Sequence, residues 1–166
     1  MTNDDIRYCH RCGLTTALEH REGRLRPVCT SCGAVFFVDP KVVAGVIVSL
    51  DGKLVMIQRE LEPGMGKWTF PAGFVDRGEA VHDAAVREMK EETGLDVELT
   101  QLIGVYSRTG DTNILVVYEG RVVGGELEAG DEAQNAGAFD LDQLPPLAFQ
   151  RDVAIIDEWR RGKSKA

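Results

Sequence analysis

Residues 73–95, GFVDRGEAVHDAAVREMKEETGL, constrain the fold most, because they crowd carboxylates into the last turns of one predicted helix. Glu88, Glu91 and Glu92 all lie there, where the partial negative charge of the helix C-terminus and mutual repulsion disfavour glutamate. A chain that keeps three glutamates in such a place usually binds a cation with them. The segment therefore predicts a cation site, and the remaining residues are expected to form the scaffold around it.

The helical period indicates the direction in which these carboxylates point. At about 100° per residue from Val81, Glu88 falls at about −20°, Glu92 at about 20° and Glu91 at about −80°. The glutamates continue the apolar stripe instead of lying opposite it, so they are predicted to face the body of the protein. Half-buried carboxylates require counter-charge.

The ends of this helix and its basic residues carry further expectations. The helix is predicted to begin near Gly78 and Glu79 and to end at Gly94, because glycine commonly terminates helices. Arg87 can pair with Glu91 four residues later, but one arginine cannot neutralise the group. Clustered oxygen ligands suit Mg²⁺ or Mn²⁺. The alternative is a solvated helix with salt-bridged glutamates, and charge pattern alone leaves both interpretations open.

The four cysteines form two Cys-x-x-Cys pairs within the first 32 residues. Cys9 and Cys12 are separated from Cys29 and Cys32 by sixteen residues, and a glycine follows each pair. This spacing predicts a structural zinc ribbon over residues 1–38, whose folding energy the metal would supply. The alternatives are two disulfides or ligand-free thiols; disulfides are disfavoured in a chain predicted to be cytoplasmic.

Residues 39–166 are predicted to form a second domain with several strands and two helices. β-branched runs predict strands at 42–50, 53–59, 95–108 and 112–123, with Asp51-Gly52 as a hairpin turn. Ala138-Phe139 are predicted to begin a short closing segment. The chain is then predicted to end in an amphipathic helix whose apolar residues are Phe149, Val153, Ile156 and Trp159. The mixed pattern indicates an α+β fold.

Charge and hydropathy limit the partners. The net charge of −8 over 166 residues disfavours sequence-independent nucleic-acid binding, although five ribbon arginines leave contact with RNA open. The longest apolar run, Val42–Leu50, is too short to cross a bilayer, and MTNDD lacks the basic start of a signal peptide. We therefore expect a cytoplasmic protein without membrane contact. A polyanionic substrate would need metal ions or a few focused basic residues.

The acidic segment resembles a known family at each defining position. Gly73, five residues, Glu79, seven residues and then Arg87–Leu95 (REMKEETGL) are similar to the Nudix box. The resemblance implies the Nudix α/β/α sandwich around a mixed sheet. It also implies hydrolysis of a nucleoside diphosphate linked to another moiety.

The resemblance further implies roles for the box residues. Glu88, Glu91 and Glu92 would bind catalytic Mg²⁺ or Mn²⁺, and Glu91 or Glu92 would also act on the attacking water. Gly73, Glu79 and Arg87 would support the loop and the helix. The metal would polarise a phosphoryl oxygen and activate bound water.

The ribbon placed directly before the box narrows the resemblance. The combination is similar to the bacterial and plastid ADP-ribose/FAD pyrophosphatases and, less closely, to NADH pyrophosphatases. FAD or ADP-ribose is therefore the expected substrate. NADH, NAD or NAD-capped RNA is the alternative, although the segment after the box lacks the Ser-Gln-Pro-Trp motif of NADH pyrophosphatases. The non-enzyme alternative is a zinc-ribbon regulator that binds nucleic acid or senses a nucleotide.

Candidate residues outside the box carry weaker signals. Glu132 corresponds to a downstream family carboxylate and is either a catalytic base or a solvated loop residue, whereas Asn135, a neutral amide, cannot be a base. Arg59, Trp68 and Tyr106 are substrate-binding candidates, with solvent exposure or core packing as their alternatives. The C-terminal helix is expected to pack on the sheet, and its exposed edge could also support a homodimer.

Overall fold

A computed structural model describes residues 6–163, and the chain divides into two compact units. The first unit ends at Pro40 and the second begins at Lys41, whereas the predicted boundary lay between residues 38 and 39. Within the described residues, no helix is long and apolar enough to span a bilayer.

The first unit is built on one antiparallel hairpin, β1 (Thr16–Arg21) and β2 (Arg24–Cys29). Glu22 and Gly23 form its turn with φ values of 50° and 76°. Among residues 6–40, only Cys9, Pro27, Val28 and Cys29 are buried, whereas Leu18 and Leu25 are each 45% exposed. The hairpin therefore lacks a substantial hydrophobic core among its described residues. The side chains that come together in this unit are those of the four cysteines.

The second unit is a mixed sheet with two helices. Its elements are β3 (Lys41–Leu50), β4 (Lys53–Arg59), β5 (Trp68–Thr69), β6 (Ala72–Phe74), α1 (Val81–Thr93), β7 (Leu95–Tyr106), β8 (Asn113–Gly125), β9 (Ala133–Phe139) and α2 (Gln150–Lys163). The strand order is β5-β4-β3-β8-β7, with β6 pairing with β3 and β9 pairing with β4. The β3–β8 pair is parallel and the other strand pairs are antiparallel.

The two faces of the sheet bury different helices, because side chains alternate along a strand. Val43 and Ile47 of β3 pack in one core cluster with Ile155, Ile156 and Trp159 of α2. Ala44, Val46 and Val48 pack on the opposite face with Ala84, Ala85 and Met89 of α1. This arrangement confirms the predicted sandwich around a mixed sheet.

The strongest local predictions match the structure closely. β3 and β4 form a hairpin through Asp51 and Gly52, whose φ values of 51° and 81° suit a tight turn. The helix α1 ends where Gly94, with a φ of 71°, donates its N–H to Lys90 O at 2.9 Å. Both features depend on residues that tolerate a left-handed backbone.

The helix α1 begins two residues after Glu79, which was predicted to lie near its start. Residues 76–79 form a separate turn, in which Glu79 N donates to Asp76 O at 3.1 Å and Asp76 N donates to Glu79 Oε2 at 3.0 Å. Gly78, with a φ of 90°, cannot continue into helix. The helix therefore begins at Val81, and Glu79 precedes it.

Two predictions near the C-terminus are wrong. The segment 138–139 ends strand β9 instead of beginning a new element. In α2, Val153 is 48% exposed, while Asp152 is 1% exposed beside buried Ile155 and Ile156. The buried stripe of α2 is rotated from the predicted one, because the helix packs through the face that carries Asp152.

Candidate active site

A cleft of about 820 Å³ in the second unit brings together the glutamates of α1 and residues from distant segments. Its lining includes Glu88, Glu92 and Glu132. It also includes a second group of polar and aromatic residues: Arg59, Thr69, Phe149, Arg151 and Asp152. The volume falls in the range typical of small-molecule sites, which makes this cleft the candidate active site.

The carboxylates of Glu88 and Glu92 are buried against strand β6. Their residues are 8% and 7% exposed, as the helical period predicted. Glu92 Oε2 accepts a hydrogen bond from Ala72 N at 2.8 Å. A Cβ at Gly73 would collide with the carboxyl group of Glu88, so the absence of a side chain there makes room for this ligand. Residues 72 and 73 thereby position both carboxylates.

Burial makes these two carboxyl groups poor anions on their own. Burial is the main cause that raises the pKa of Glu88, and it raises the pKa of Glu92 to about 8. The charge of Glu132 further raises both pKa values. A bound cation would favour the ionised forms, and buried oxygen donors of this kind fit a hard divalent ion.

Arg87 connects the loop before α1 with the helix itself. Its guanidinium donates to Glu79 at 2.8 and 3.0 Å, to Glu88 at 2.8 Å and to Glu91 at 2.8 Å. It also donates to Phe74 O at 3.0 Å. The hydrogen bonds from Arg87 are the first cause that lowers the pKa of Glu79 to about 2. Arg87 thus fixes three carboxylates.

Glu91 differs from its two neighbours. Its side chain is 58% exposed, and it contacts Arg87 instead of lining the cleft. Among residues 6–163, the oxygens of the glutamates do not converge into a cluster of three ligands, whereas the four cysteine sulfurs do. The helix therefore presents two buried carboxylates and one exposed carboxylate at its edge.

A loop fastened to the end of α1 positions Glu132. Glu128 N donates to Thr93 O at 3.0 Å, and Gly130 N donates to Glu92 O at 3.1 Å. A Cβ at Gly130 would collide with the carbonyl oxygen of Glu91, so only glycine allows this approach. The loop thereby satisfies carbonyl groups at the helix C-terminus and leads directly to Glu132.

The second group in the cleft surrounds Phe149, just before α2. The guanidinium groups of Arg59 and Arg151 lie over its ring at 5.1 and 5.0 Å from the centroid. Asp152 accepts a hydrogen bond from Thr69 Oγ1 at 2.8 Å. Burial is the main cause that raises the pKa of Asp152 to about 6, although Thr69, Arg151 and Arg59 oppose it.

Of the three residues predicted to bind substrate, Arg59 lines the cleft, whereas Trp68 and Tyr106 are not in its described lining. Trp68 packs edge-on against Phe139 with ring centroids 4.6 Å apart, and Tyr106 donates its hydroxyl to Glu158 at 3.0 Å. Packing against Phe139 therefore accounts for the position of Trp68, and the hydrogen bond to Glu158 accounts for that of Tyr106. Asn135 donates its amide to Gln58 Oε1 at 2.7 Å.

Sequence reasoning missed Phe149, Arg151 and Asp152 as cleft residues. A usable signal existed, because Asp152 precedes Ile156 by four residues and Trp159 by seven, which places a carboxylate on their helical face. Arg151 and Phe149 carried no comparable signal, since their approach to the cleft depends on where α2 packs.

The cysteine cluster of the first unit is geometrically ready for a metal. The four sulfur atoms lie within 4.8 Å of one another, and the shorter Sγ–Sγ distances are 3.5, 3.6 and 3.8 Å. Sulfurs placed tetrahedrally about 2.3 Å from zinc would lie roughly 3.8 Å apart. The cysteines are free, and these distances exceed a disulfide bond, which excludes the disulfide alternative.

Backbone N–H groups favour the thiolate of Cys29, whereas the pKa of Cys12 is raised to about 12. The N–H groups of Cys32 and Ser31 approach Cys29 Sγ at 3.4 and 3.5 Å, and they lower the pKa of that thiol to about 6. Gly13 N and Gly33 N donate to the carbonyls of Cys9 and Cys29 at 2.8 and 3.1 Å, which closes each knuckle. Four converging thiolates fit Zn²⁺.

An acidic helix that delivers buried carboxylates into a cleft on a mixed sheet is the arrangement of a metal-dependent hydrolase. The chain belongs to the NUDIX family, since the NUDIX domain matches residues 39–159. The predicted resemblance to Nudix hydrolases is thereby confirmed, and hydrolases of this family use divalent metals.

Individual relatives extend the likeness. The chain is 42% identical to an ADP-ribose pyrophosphatase of Methanocaldococcus jannaschii over 132 residues, which cover 76% of this chain and 78% of the relative. It is 31% identical over 164 residues to the NAD-capped RNA hydrolase NudC of Pseudomonas aeruginosa, covering 96% of this chain but 58% of that relative. The structure of a NUDIX hydrolase from Nitrosomonas europaea superposes with a TM-score of 0.90 at 26% identity, covering 96% of this chain and 93% of the other.

Proposed function

We propose that the chain hydrolyses the diphosphate bond of a nucleoside diphosphate linked to another moiety, with ADP-ribose as the first candidate substrate. The observation that carries the proposal is the pair of buried carboxylates, Glu88 and Glu92, seated on strand β6 in the cleft. Family membership supplies the reaction class. The named activity of the relative from M. jannaschii supports ADP-ribose.

Glu88 and Glu92 would hold the catalytic Mg²⁺ or Mn²⁺, with Glu91 as a third ligand. The burial of the first two favours this role, because a divalent ion compensates charges that solvent does not reach. Glu91 would have to turn from Arg87 to join them. When bound, the ion supplies Lewis-acid polarisation of the phosphoryl group and activation of water.

Glu132 is the candidate general base among the three predicted catalytic carboxylates. It is exposed, lines the cleft and lies close enough to raise the pKa values of Glu88 and Glu92. Its carboxylate would accept the proton of the attacking water. Glu92 is held by Ala72 N, which favours a ligand role for it, whereas Glu91 is paired with Arg87 and does not line the cleft.

Gly73, Glu79 and Arg87 would keep the ligands in place. Gly73 makes room for the carboxylate of Glu88, and Arg87 joins Glu79 to Glu88 and Glu91. Arg59 would bind a substrate phosphate, since it is a cation in the lining of the cleft that holds Glu88 and Glu92. Trp68 and Tyr106 would act in substrate binding only if the cleft extended beyond its described lining.

Hydrolysis of NAD-capped RNA is the second candidate function. The alignment with the P. aeruginosa hydrolase covers 96% of this chain and so includes the cysteine ribbon, which carries five arginines. The chain spans 58% of that relative, so the likeness does not extend over the relative's whole length. None of the relatives described above is named for FAD, which stays a prediction from the sequence.

The ribbon would bind one structural Zn²⁺ through Cys9, Cys12, Cys29 and Cys32. The convergence of the four sulfurs supports this proposal. A cytoplasmic location and a homodimer stay predictions from the sequence.

A substrate panel tests the proposed function. ADP-ribose, FAD, NADH and NAD-capped RNA are each incubated with the protein and Mg²⁺, and products are separated by chromatography. We expect the highest kcat/KM for ADP-ribose. Glu92→Gln should lose most turnover while remaining folded, because a neutral amide is a poor ligand for a hard cation. Glu98→Gln, which changes an exposed glutamate of β7, is the matched control and should retain full turnover.

Each outcome of the panel has a defined meaning. Preferential hydrolysis of NAD-capped RNA would replace ADP-ribose by the second candidate. Tight binding of one compound without turnover of any would refute the proposed hydrolase activity and favour the alternative of a nucleotide sensor. Near-normal turnover by Glu92→Gln would refute the metal assignment.

A further inference from the structure

Two buried polar atoms face each other in the cleft without forming a hydrogen bond. Asp152 is 1% exposed, and its Oδ2 is engaged by Thr69 Oγ1 at 2.8 Å. Its Oδ1 faces Arg151 Nε at 3.8 Å, which is too long for a hydrogen bond. Arg151 Nε is itself buried and has no hydrogen-bond partner among residues 6–163. A buried donor without a partner therefore lies beside a carboxylate oxygen.

Surrounding side chains hold this pair in position. The guanidinium of Arg151 lies over the ring of Phe149 at 5.0 Å, and Thr69 fixes the carboxylate of Asp152. Arg59 lies over the same ring at 5.1 Å and donates its Nε to Pro63 O at 2.8 Å, so it does not occupy the gap. Prior positioning of this kind lowers the entropic cost of ligand binding.

Asp152 Oδ1 and Arg151 Nε suit a ligand group that both donates and accepts hydrogen bonds. A hydroxyl can donate to Asp152 Oδ1 and accept from Arg151 Nε at the same time. A phosphate oxygen would be repelled by the carboxylate, and an ammonium group has no lone pair for the Nε–H. Thr69, Phe149, Arg151 and Asp152 line the same cleft as Glu88 and Glu92, so a substrate held at the glutamates lies within the same cavity.

We propose that Asp152 and Arg151 form a subsite that binds one sugar hydroxyl of the substrate and thereby contributes to specificity. This inference rests on the proposed function and narrows it to substrates that carry such a hydroxyl. The hydroxyl belongs either to the ribose of the nucleoside or to the sugar beyond the diphosphate. The substrates used in the test distinguish these two sources.

The test compares Asp152→Asn and Arg151→Met with two matched controls. Asp157→Asn and Arg161→Met make the same chemical changes at exposed positions of α2. Kinetics are measured with ADP-ribose and with the methyl ester of ADP, which keeps the nucleoside ribose but has no second sugar. Binding of ADP-ribose without divalent ion is measured by calorimetry, which gives a readout that needs no turnover.

We expect both test variants to raise KM for ADP-ribose about 10- to 100-fold, because each loses a hydrogen bond that involves a charged group. The turnover number kcat should change less than about twofold, since the subsite does not touch the reacting phosphate. The dissociation constant without metal should rise in parallel. An effect on ADP-ribose alone assigns the hydroxyl to the second sugar, and an equal effect on the methyl ester assigns it to the nucleoside.

Unchanged KM and dissociation constants in both variants would overturn the inference, as would a fall in kcat with KM unchanged. A loss of thermal stability without any change in substrate binding would show that the gap holds only water. Arg151→Met leaves Asp152 and Thr69 in place, so it decides the matter if Asp152→Asn does not fold. Failure of the wild type to hydrolyse any substrate would refute the proposed function, while the calorimetric comparison would still test this subsite.

Discussion

The two candidate metal sites are assembled in opposite ways. The four cysteine sulfurs converge within 4.8 Å on two short knuckles of a hairpin unit that buries few apolar side chains. The glutamates of α1 do not converge in this way, although Glu88 and Glu92 lie on a helix packed into a large core. The metal at the cysteine site would stabilise the fold around it, whereas the folded core positions the glutamates of the second site.

The difference shows which forces determine each site. The sulfur site depends on two Cys-x-x-Cys turns, which the β1–β2 hairpin brings together across the sixteen residues between them. The carboxylates depend on packing, since burial against β6 sets their pKa values and their orientation. Removing the metal, adding a side chain at a glycine, neutralising a buried charge and breaking a surface ion pair should therefore affect the two sites unequally.

Zinc removal should have the largest effect, and it should be confined to the first unit. Structural zinc contributes about 10–16 kcal/mol in small zinc domains, so residues 6–40 should lose hydrogen-exchange protection when the metal is removed or in Cys29→Ser. The core strands of the second unit should keep their protection, because their stability comes from apolar burial. Hydrogen exchange followed by mass spectrometry measures both. Retained protection of residues 6–40 without metal would remove the contrast between the sites.

Gly73→Ala should have the next largest effect, this time confined to the carboxylate site. The new Cβ would collide with the carboxyl group of Glu88 and displace one metal ligand. We expect kcat/KM to fall about 1,000-fold, equivalent to about 4 kcal/mol. Gly162→Ala is the control, because a Cβ there meets no atom within 4 Å and should leave kcat/KM unchanged. Normal activity of Gly73→Ala would show that the carboxyl group of Glu88 can move aside without loss of function.

Asp152→Asn should change the pH dependence of stability. The pKa of Asp152 is raised from 3.8 to about 6 in the folded protein, so the folded state binds this proton more tightly than the unfolded state. The stabilisation from protonation is complete below about pH 4 and is lost as pH rises through about 6. The total change is about 3 kcal/mol.

The neutral variant should therefore gain free energy of unfolding relative to wild type as pH rises from 4 to 8. Denaturant titrations of wild type, Asp152→Asn and the exposed control Asp157→Asn measure this difference. A constant difference across the pH range would mean that the carboxylate is better solvated than its burial indicates.

Arg121→Ala should have the smallest effect. Arg121 and Glu98 form an ion pair whose side chains are 66% and 59% exposed. Loss of such a pair costs about 0.5 kcal/mol or less, and added salt should reduce even that cost. Thermal denaturation at low and high salt provides the comparison. A cost above about 1 kcal/mol would show that surface charge contributes to stability as strongly as the buried groups do.

The sequence predicts the features that depend on local chemistry. The period of α1 correctly predicts that Glu88 and Glu92 are buried but not that Glu91, at the edge of the same arc, is exposed, and Asp51-Gly52 correctly predicts the β3–β4 turn. The start of α1 lies two residues after Glu79 because the side chain of Glu79 stabilises a separate turn at 76–79, which helix propensity does not register.

Features that depend on distant pairing were not predictable. Strand β9, AQNAGAF, contains no β-branched residue and is a strand because it pairs with β4. The approach of Asp152 and Arg151 to the cleft depends on the rotation of α2 against the sheet, which its apolar pattern predicted incorrectly. These two cleft residues therefore require the packed structure for their prediction.

The backbone bonds between the 126–130 loop and α1 limit how this fold can diverge. Because Gly130 N is bonded to the carbonyl of Glu92 itself, an insertion between Gly130 and Glu132 would move the proposed base away from the metal ligands. Residues 60–63 also line the cleft, and the backbone bonds of residues 64–67 run to Arg59 and within the segment and not to α1. New substrates would thus arise by changes of length in residues 60–67, while the 126–132 loop would keep its length across descendants that retain the reaction.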